Sequence, residues 1–344
     1  MVNINNLINT YNTLGDNLIE IANNIDNNKY SSIINNAIIY NNWFTKDTIK
    51  QSLLAIGYSL QKNKLQQWIN NYRIKTPNKI KNIGVIMAGN IPLVGFNDFI
   101  CVLISGNNIL AKLSSKDLYL YKIIKGILID IDKTFENRIT LTTDFIKNID
   151  AIIATGSNNS SRYFEYYFSK YPHIIRKNRN SIGIISGNES TNDLQNLGID
   201  IFSYFGLGCR NVSFILVPNN YNFKNMLNSL KKFESINTHT KYYNNYEYQK
   251  TIMAMNQIPF LDNENILLKE SDNLSSPISV LHYKYYNSNN DIQDFIKNNT
   301  NNIQCIVSKT KFDFDTYELG KAQIPELWDY ADNIDTLDFL INIK

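Results

Sequence analysis

From about residue 80 to residue 218 the chain alternates short apolar runs with stretches of helical period, and Gly, Asn or Pro marks most junctions. This alternation limits the fold more than any other feature. An apolar run of four or five residues is short for a helix and suits a strand buried on both faces. Strands linked through helices pair in parallel, because a parallel neighbour needs a long crossover. Residues 83–87, 109–113, 139–142 and 151–154 read as strands. Helices are expected over 96–104, 119–131 and 159–169. A second unit of the same grammar begins near Ser181, with a strand over 181–186, a helix over 193–205 and a strand over 212–217. Further on, 222–234 and 245–255 read as helical, and 278–282 and 303–307 as strands. The expected fold class is α/β with a mostly parallel sheet.

The first 72 residues differ. Leu7, Ile8, Tyr11, Leu14, Leu18, Ile21 and Ile25 follow a three-to-four spacing, and Ile49, Leu53, Leu54, Ile56, Leu60, Leu65 and Trp68 form a second such stretch. No heptad is sustained, so a packed helical layer is expected rather than a coiled coil. Thr76-Pro77-Asn78 breaks the pattern. A length of 344 residues favours two domains.

Composition narrows the function classes. Three Cys exclude a disulfide scaffold, and three scattered His, with no paired Cys or His spacing, argue against a metal centre. A net charge of +3 is too mild to demand nucleic acid. The N-terminus lacks a cationic and apolar leader, and no apolar run is long enough to span a bilayer. A soluble cytoplasmic protein is expected. The 54 Asn and 51 Ile read as codon bias, which weakens propensity arguments.

Four places carry residues suited to chemistry. Cys209 follows Gly206-Leu207-Gly208 and precedes Arg210, a cation able to lower a thiol pKa. Cys101 and Cys305 lie within apolar runs and read as core residues, a reading also open for Cys209. Asn90, in the turn Gly89-Asn90-Ile91-Pro92, suits an oxyanion donor or simply a turn. Lys112 closes a strand and suits a phosphate or ribose contact, or a solvated surface. Gly156 and Ser157 open a helix, where amides bind phosphate or Ser merely caps.

In order and spacing, these elements resemble the aldehyde dehydrogenase superfamily. The likeness runs from strand, Asn-x-Pro and helix, through strand with Lys and strand with Gly-Ser, to helix, G-x-G-Cys and strand. Within it the chain is most similar to the LuxC-like fatty acyl-CoA reductases. Gly89 to Phe96, Ala154 to Ser157, Ile175-Arg-Lys-Asn-Arg-Asn-Ser181, Phe205 to Arg210 and Ala322-Gln-Ile-Pro-Glu-Leu-Trp-Asp-Tyr-Ala-Asp332 carry that likeness.

The resemblance implies a Rossmann-type cofactor domain with an N-terminal helical layer over 1–180 and an α/β catalytic domain over 181–320. A tail over 321–344 would follow, with an oligomerisation or cofactor-domain strand near 338–343. It implies Cys209 as nucleophile and Asn90 as oxyanion donor. Lys112, Gly156 and Ser157 would contact the dinucleotide, and Glu318 the nicotinamide ribose. Oxidising relatives carry a general-base Glu some thirty residues before the Cys, whereas Arg176 to Ser181 here holds no carboxylate. An acyl group is thereby spared hydrolysis. Ser115, where NAD-preferring members often place an acid, favours NADPH. The basic residues Arg162, Lys170, Arg176, Lys177 and Arg179 suit CoA or NADPH phosphates, or a solvated face. The implied activity is reduction of a long-chain acyl-CoA to aldehyde, with CoA as leaving group. Homo-oligomerisation and an acyl-transfer partner protein are the implied associations. An oxidative aldehyde dehydrogenase and a non-catalytic partner with the same fold are the competing readings.

Overall fold

The computed structural model describes residues 3–74 and 77–343, so Thr76 of the expected break lies outside the described residues, while Pro77 and Asn78 stand in no helix or strand. The chain divides into two compact units. One runs to Asn178 and resumes at Pro325, and the other spans Arg179–Ile324.

The first unit opens with four helices, α1 (Ile4–Asn23), α2 (Ser31–Tyr40), α3 (Lys46–Ser59) and α4 (Lys62–Ile69). The apolar stripe read from α1 is its buried face: Ile8, Tyr11, Leu14, Leu18 and Ile21 are all enclosed. Then β1 (Asn82–Ile86), α5 (Phe96–Ile104), β2 (Asn108–Lys112), α6 (Leu120–Ile131), α7 (Phe135–Arg138), β3 (Ile139–Thr142), β4 (Ala151–Thr155), α8 (Asn158–Phe168) and β5 (His173–Arg176) follow. The five strands form a wholly parallel sheet in the order β3-β2-β1-β4-β5.

Both faces of that sheet are covered, as continuous apolar strands require. Along β4, Ala151 and Ile153 join the core shared with α5, α6 and the N-terminal helices. Ile152 and Ala154 turn to the other face, against Phe164 and Phe168 of α8. Period-two alternation thus feeds two apolar layers.

The second unit contains β6 (Asn180–Ile184), α9 (Thr191–Phe202), β7 (Val212–Pro218), α10 (Lys224–Leu230), α11 (Thr240–Met255), β8 (Leu261–Asp262), β9 (Leu267–Glu270), β10 (Val280–Tyr286), α12 (Asn289–Asn299) and β11 (Ile303–Ser308). Its sheet runs β11-β6-β7-β10-β9-β8, parallel except at the short β8 edge.

Two expectations are corrected. The strand expected at 338–343 is a helix, α13 (Thr336–Ile341). Asp335 caps it by accepting from the Asp338 N–H at 2.9 Å, and Leu337 and Leu340 enter the core at helical spacing. Arg176, grouped with phosphate-binding cations, is 4% exposed and points inward. Its Nη1 pairs with Asp98 Oδ2 of α5, and its Nη2 donates to Thr336 Oγ1 at 2.7 Å. It is therefore withdrawn from any phosphate.

The run from Ala322 to Asp332 ends as a strap over the N-terminal helices. Trp68 Nε1 donates to Tyr330 Oη at 2.7 Å, which meets Tyr72 Oη at 2.8 Å, and Tyr72 donates to Asp335 at 2.7 Å. Lys64 pairs with Glu326 at 2.6 Å.

Removing one member of a buried ion pair strands the other charge, at a cost of about 3–5 kcal/mol. Arg176→Met is expected to lower the stability of the first unit by that order, and Arg176→Met with Asp98→Leu by much less. All three Trp (Trp43, Trp68, Trp328) lie in this unit. Denaturation followed by tryptophan fluorescence therefore checks the expectation directly.

Candidate active site

The loops that leave the C-terminal ends of parallel strands line the crevice of such sheets, and the crevice is deepest where the strand order reverses. In the first unit that point lies between β1 and β4. Register places Ile86 of β1 between Lys112 of β2 and Ala154 of β4. Of the residues expected to hold a cofactor, Lys112, Ser115, Gly156 and Ser157 lie on this edge, as does Asn90, the expected oxyanion donor. Asn90 follows β1 and is half-buried. Lys112 ends β2; its Nζ donates to the Thr143 and Asp144 carbonyls, each at 3.2 Å, and lies 4.8 Å from the Phe145 ring centre. Ser115 is exposed in the loop that follows.

Gly156 and Ser157 link β4 to α8. Ser157 caps the helix, accepting from the Ser160 N–H at 3.2 Å. A Cβ on Gly156 would lie 2.8 Å from the Phe164 ring and 2.9 Å from Ser160 Cβ. Only glycine lets the strand end close down onto the helix it starts.

Asp117, which the sequence reading passed over, braces two of these loops. Its carboxylate accepts from the Leu93 N–H at 2.9 Å and the Leu120 N–H at 3.3 Å. It thereby ties the segment after β1 to the segment after β2. Burial pushes its pKa up to about 7, against the pull of the two N–H donors.

In the second unit Cys209 sits just before β7 and is half-buried, whereas Cys101 and Cys305 are 0% and 5% exposed. Burial holds the Cys101 thiol well above its ordinary pKa. Between α9 and Cys209 the chain turns through three left-handed residues, Tyr204, Phe205 and Gly206, with φ of 50°, 59° and 75°. Only Gly206 takes that conformation without cost. Phe205 is held there against the His239 ring, with centres 4.1 Å apart.

The residue after the cysteine faces the segment that bears Glu318. Arg210 Nε donates to the Ala322 carbonyl at 2.5 Å, and its guanidinium lies 4.6 Å from the Tyr317 ring centre. Asp200 of α9 ties down the same segment, accepting from the Gly320 N–H at 2.6 Å and the Ala322 N–H at 2.9 Å. Burial pushes the Asp200 pKa up to about 6, opposed by those donors and by Arg210. Glu318 is exposed beside Tyr317, which bridges to Val307 of β11. The structure thus places Asn90, Lys112, Ser115, Gly156 and Ser157 on one sheet edge of the first unit. Cys209 and Glu318 sit on adjoining segments of the second.

Of the remaining basic residues, Lys177 pairs with Glu165 at 3.0 Å, and Arg179 donates to the Ile303 carbonyl at 3.4 Å. Among the described residues, no helix is long and apolar enough to cross a membrane.

A family model described as acyl-CoA reductase (LuxC) matches residues 17–231. No curated protein matches the chain in sequence. Among solved structures, aldehyde dehydrogenase 21 from Physcomitrella patens, in complex with succinate, superposes with a TM-score of 0.64 at 11% identity, covering 88% of this chain and 74% of that one. The NAD+ complex of an aldehyde dehydrogenase from Bacillus cereus gives 0.63 at 12% identity, with 91% and 73% covered. A variant propionaldehyde dehydrogenase from the Clostridium phytofermentans fucose utilisation bacterial microcompartment gives 0.59 at 11% identity, with 91% and 80% covered. The fold is aldehyde dehydrogenase-like.

A carboxyl whose pKa rises on folding adds stability below its unfolded pKa, and that stability is lost as pH climbs through the folded value. For Asp117 the window runs from about 4 to about 7. Between pH 5 and 8 the wild type is expected to lose about 2–3 kcal/mol more than Asp117→Asn. Tryptophan-detected denaturation at the two pH values measures this difference, whatever offset the substitution adds.

Proposed function

The chain belongs to the LuxC acyl-CoA reductase family, and on that premise we propose that it reduces a long-chain acyl-CoA to the aldehyde with NADPH, through a thioester on Cys209. The observation that carries the reading is the extent of the family match. Residues 17–231 include Asn90, Lys112, Ser115, Gly156, Ser157 and Cys209 together.

The first unit's sheet edge fits a nicotinamide dinucleotide. It offers the N-terminus of α8 with the Ser157 hydroxyl, a glycine approach at Gly156, and the Lys112 cation. In this reading Gly156 and Ser157 hold the pyrophosphate, Lys112 the adenosine ribose or its phosphate, and Glu318 the nicotinamide ribose. Ser115 presents no carboxylate to a 2′-phosphate. When bound, the reduced cofactor supplies hydride.

The chain's own residues do the rest. The Cys209 thiolate attacks the thioester carbonyl, and the Asn90 amide and the Cys209 backbone N–H receive the oxyanion. The carbon–sulfur bond to CoA breaks, and CoA leaves as its thiolate, which takes a proton from solvent. The acyl carbon on Cys209 then accepts hydride. The resulting thiohemiacetal loses its bond to Sγ, which releases aldehyde and restores the thiolate. With no carboxylate between Arg176 and Ser181 to activate water, the thioester survives until hydride arrives. The acylating direction is favoured over oxidative hydrolysis on that ground.

Incubation with a panel of acyl-CoA chain lengths is expected to consume NADPH and release one free CoA thiol per aldehyde, fastest with long chains. Robust aldehyde oxidation without free CoA overturns the reading. Ser115→Glu is expected to raise the KM for NADPH at least ten-fold while leaving that for NADH within about three-fold. Steady-state kinetics with each cofactor check this, and an unchanged NADPH KM contradicts the assignment.

A further inference from the structure

Asn211 lies two residues after the proposed nucleophile and is 3% exposed. Its side chain joins both ends of the strained segment that carries Cys209. On one side Nδ2 donates to the carbonyls of Asp200 at 3.0 Å, Ile201 at 3.3 Å and Ser203 at 2.7 Å. These include carbonyls that the end of α9 leaves without helical partners. On the other side Oδ1 accepts from the Gly208 N–H at 2.8 Å. The Asn211 backbone N–H also donates to the Gly208 carbonyl at 3.0 Å, closing a turn with Cys209 and Arg210 at its centre.

The opposite side of the turn is held from β6. Ser181, fully buried, donates through Oγ to the Cys209 carbonyl at 2.9 Å. The same hydroxyl lies 3.1 Å from Cys305 Sγ. The peptide before Cys209 is therefore fixed by Asn211, and the peptide after it by Ser181. Left-handed non-glycine residues such as Tyr204 and Phe205 persist only where their surroundings over-determine them. Asn211 contributes to that determination by holding the backbone on both sides of the two residues, at Ser203 and at Gly208. One amide with two donors and one acceptor matches the carbonyls of the helix end and the N–H of the turn simultaneously.

We infer that Asn211 is the positioning residue of the nucleophile turn, and that with Ser181 it sets the direction in which Cys209 presents its thiol. The inference rests on Cys209 being the nucleophile. It assigns Asn211 no contact with substrate or cofactor. Misplacement of a reacting group by about 1 Å costs on the order of a hundred-fold in rate.

Asn211→Asp keeps the shape and the Gly208 acceptor but removes both donors. In the full-length chain it is expected to lower kcat by about a hundred-fold while the KM for acyl-CoA stays within about three-fold. Cys305, buried on the far side of Ser181, should keep its resistance to a thiol reagent, which shows that the unit remains folded. Normal acylation in Asn211→Asp overturns the inference. Should Asn211→Asp expose Cys305, Ser181→Ala decides. A ten-fold or greater loss of kcat with Cys305 still protected supports the inference, and wild-type kcat overturns it. Cys209→Ala separates the two readings. Acyl-enzyme formation in Cys209→Ala refutes the nucleophile itself, whereas a dead Cys209→Ala beside a normal Asn211→Asp refutes only the positioning role.

Discussion

Arg176 and Asp98 leave water together, and the first unit is organised around their doing so. Arg176 ends β5, the last strand of the sheet. Asp98 lies in the first turn of α5, just beyond the loop that carries Asn90. Thr336, which completes the cluster, opens the C-terminal helix α13. A charge buried this deeply is tolerated only if its partner is present and aligned. The pair therefore links the sheet edge, the helix behind the candidate oxyanion donor and the returning C-terminus in one condition. The strap through Tyr330, Trp68 and Tyr72 extends the same tie to the N-terminal helices.

The candidate site segments follow a common logic: a buried polar side chain holds an irregular backbone in place. Asp117 binds the loop after β1 to the loop after β2 through two N–H groups. Asp200 binds the segment next to Glu318, and Asn211 binds the turn that presents Cys209. The apolar strands supply rigidity, but they do not aim these loops. Acceptors and donors of fixed geometry do that, at the cost of raised carboxyl pKa values at Asp117 and Asp200.

Strands buried on both faces were legible because they read as unbroken apolar runs. The helices α5 and α6 were legible from their apolar pattern, and α5 also from its Gly106-Asn107-Asn108 stop. β5 was missed, since His173 and Arg176 frame only two apolar residues, and the inward turn of Arg176 depends on Asp98, far away in sequence. The segment 338–343 reads as a strand because Ile, Leu and Phe suit one, whereas the cap at Asp335 starts a helix there. The placement of Asn90, Lys112, Ser115, Gly156 and Ser157 on one edge follows from turns at strand ends. Asn211 was invisible among 54 asparagines, because its role comes from three carbonyls that only the folded helix end brings together.

The central claim is that an acyl group passes onto Cys209. Rapid quenching of the wild-type chain with a long-chain acyl-CoA in the absence of NADPH, followed by peptide mass spectrometry at acid pH, tests it most directly. The account predicts an acyl mass on the peptide containing Cys209 alone, discharged when NADPH is added before the quench. An adduct on Cys101 or Cys305, or unimpaired turnover by Cys209→Ala with no adduct at all, would contradict it.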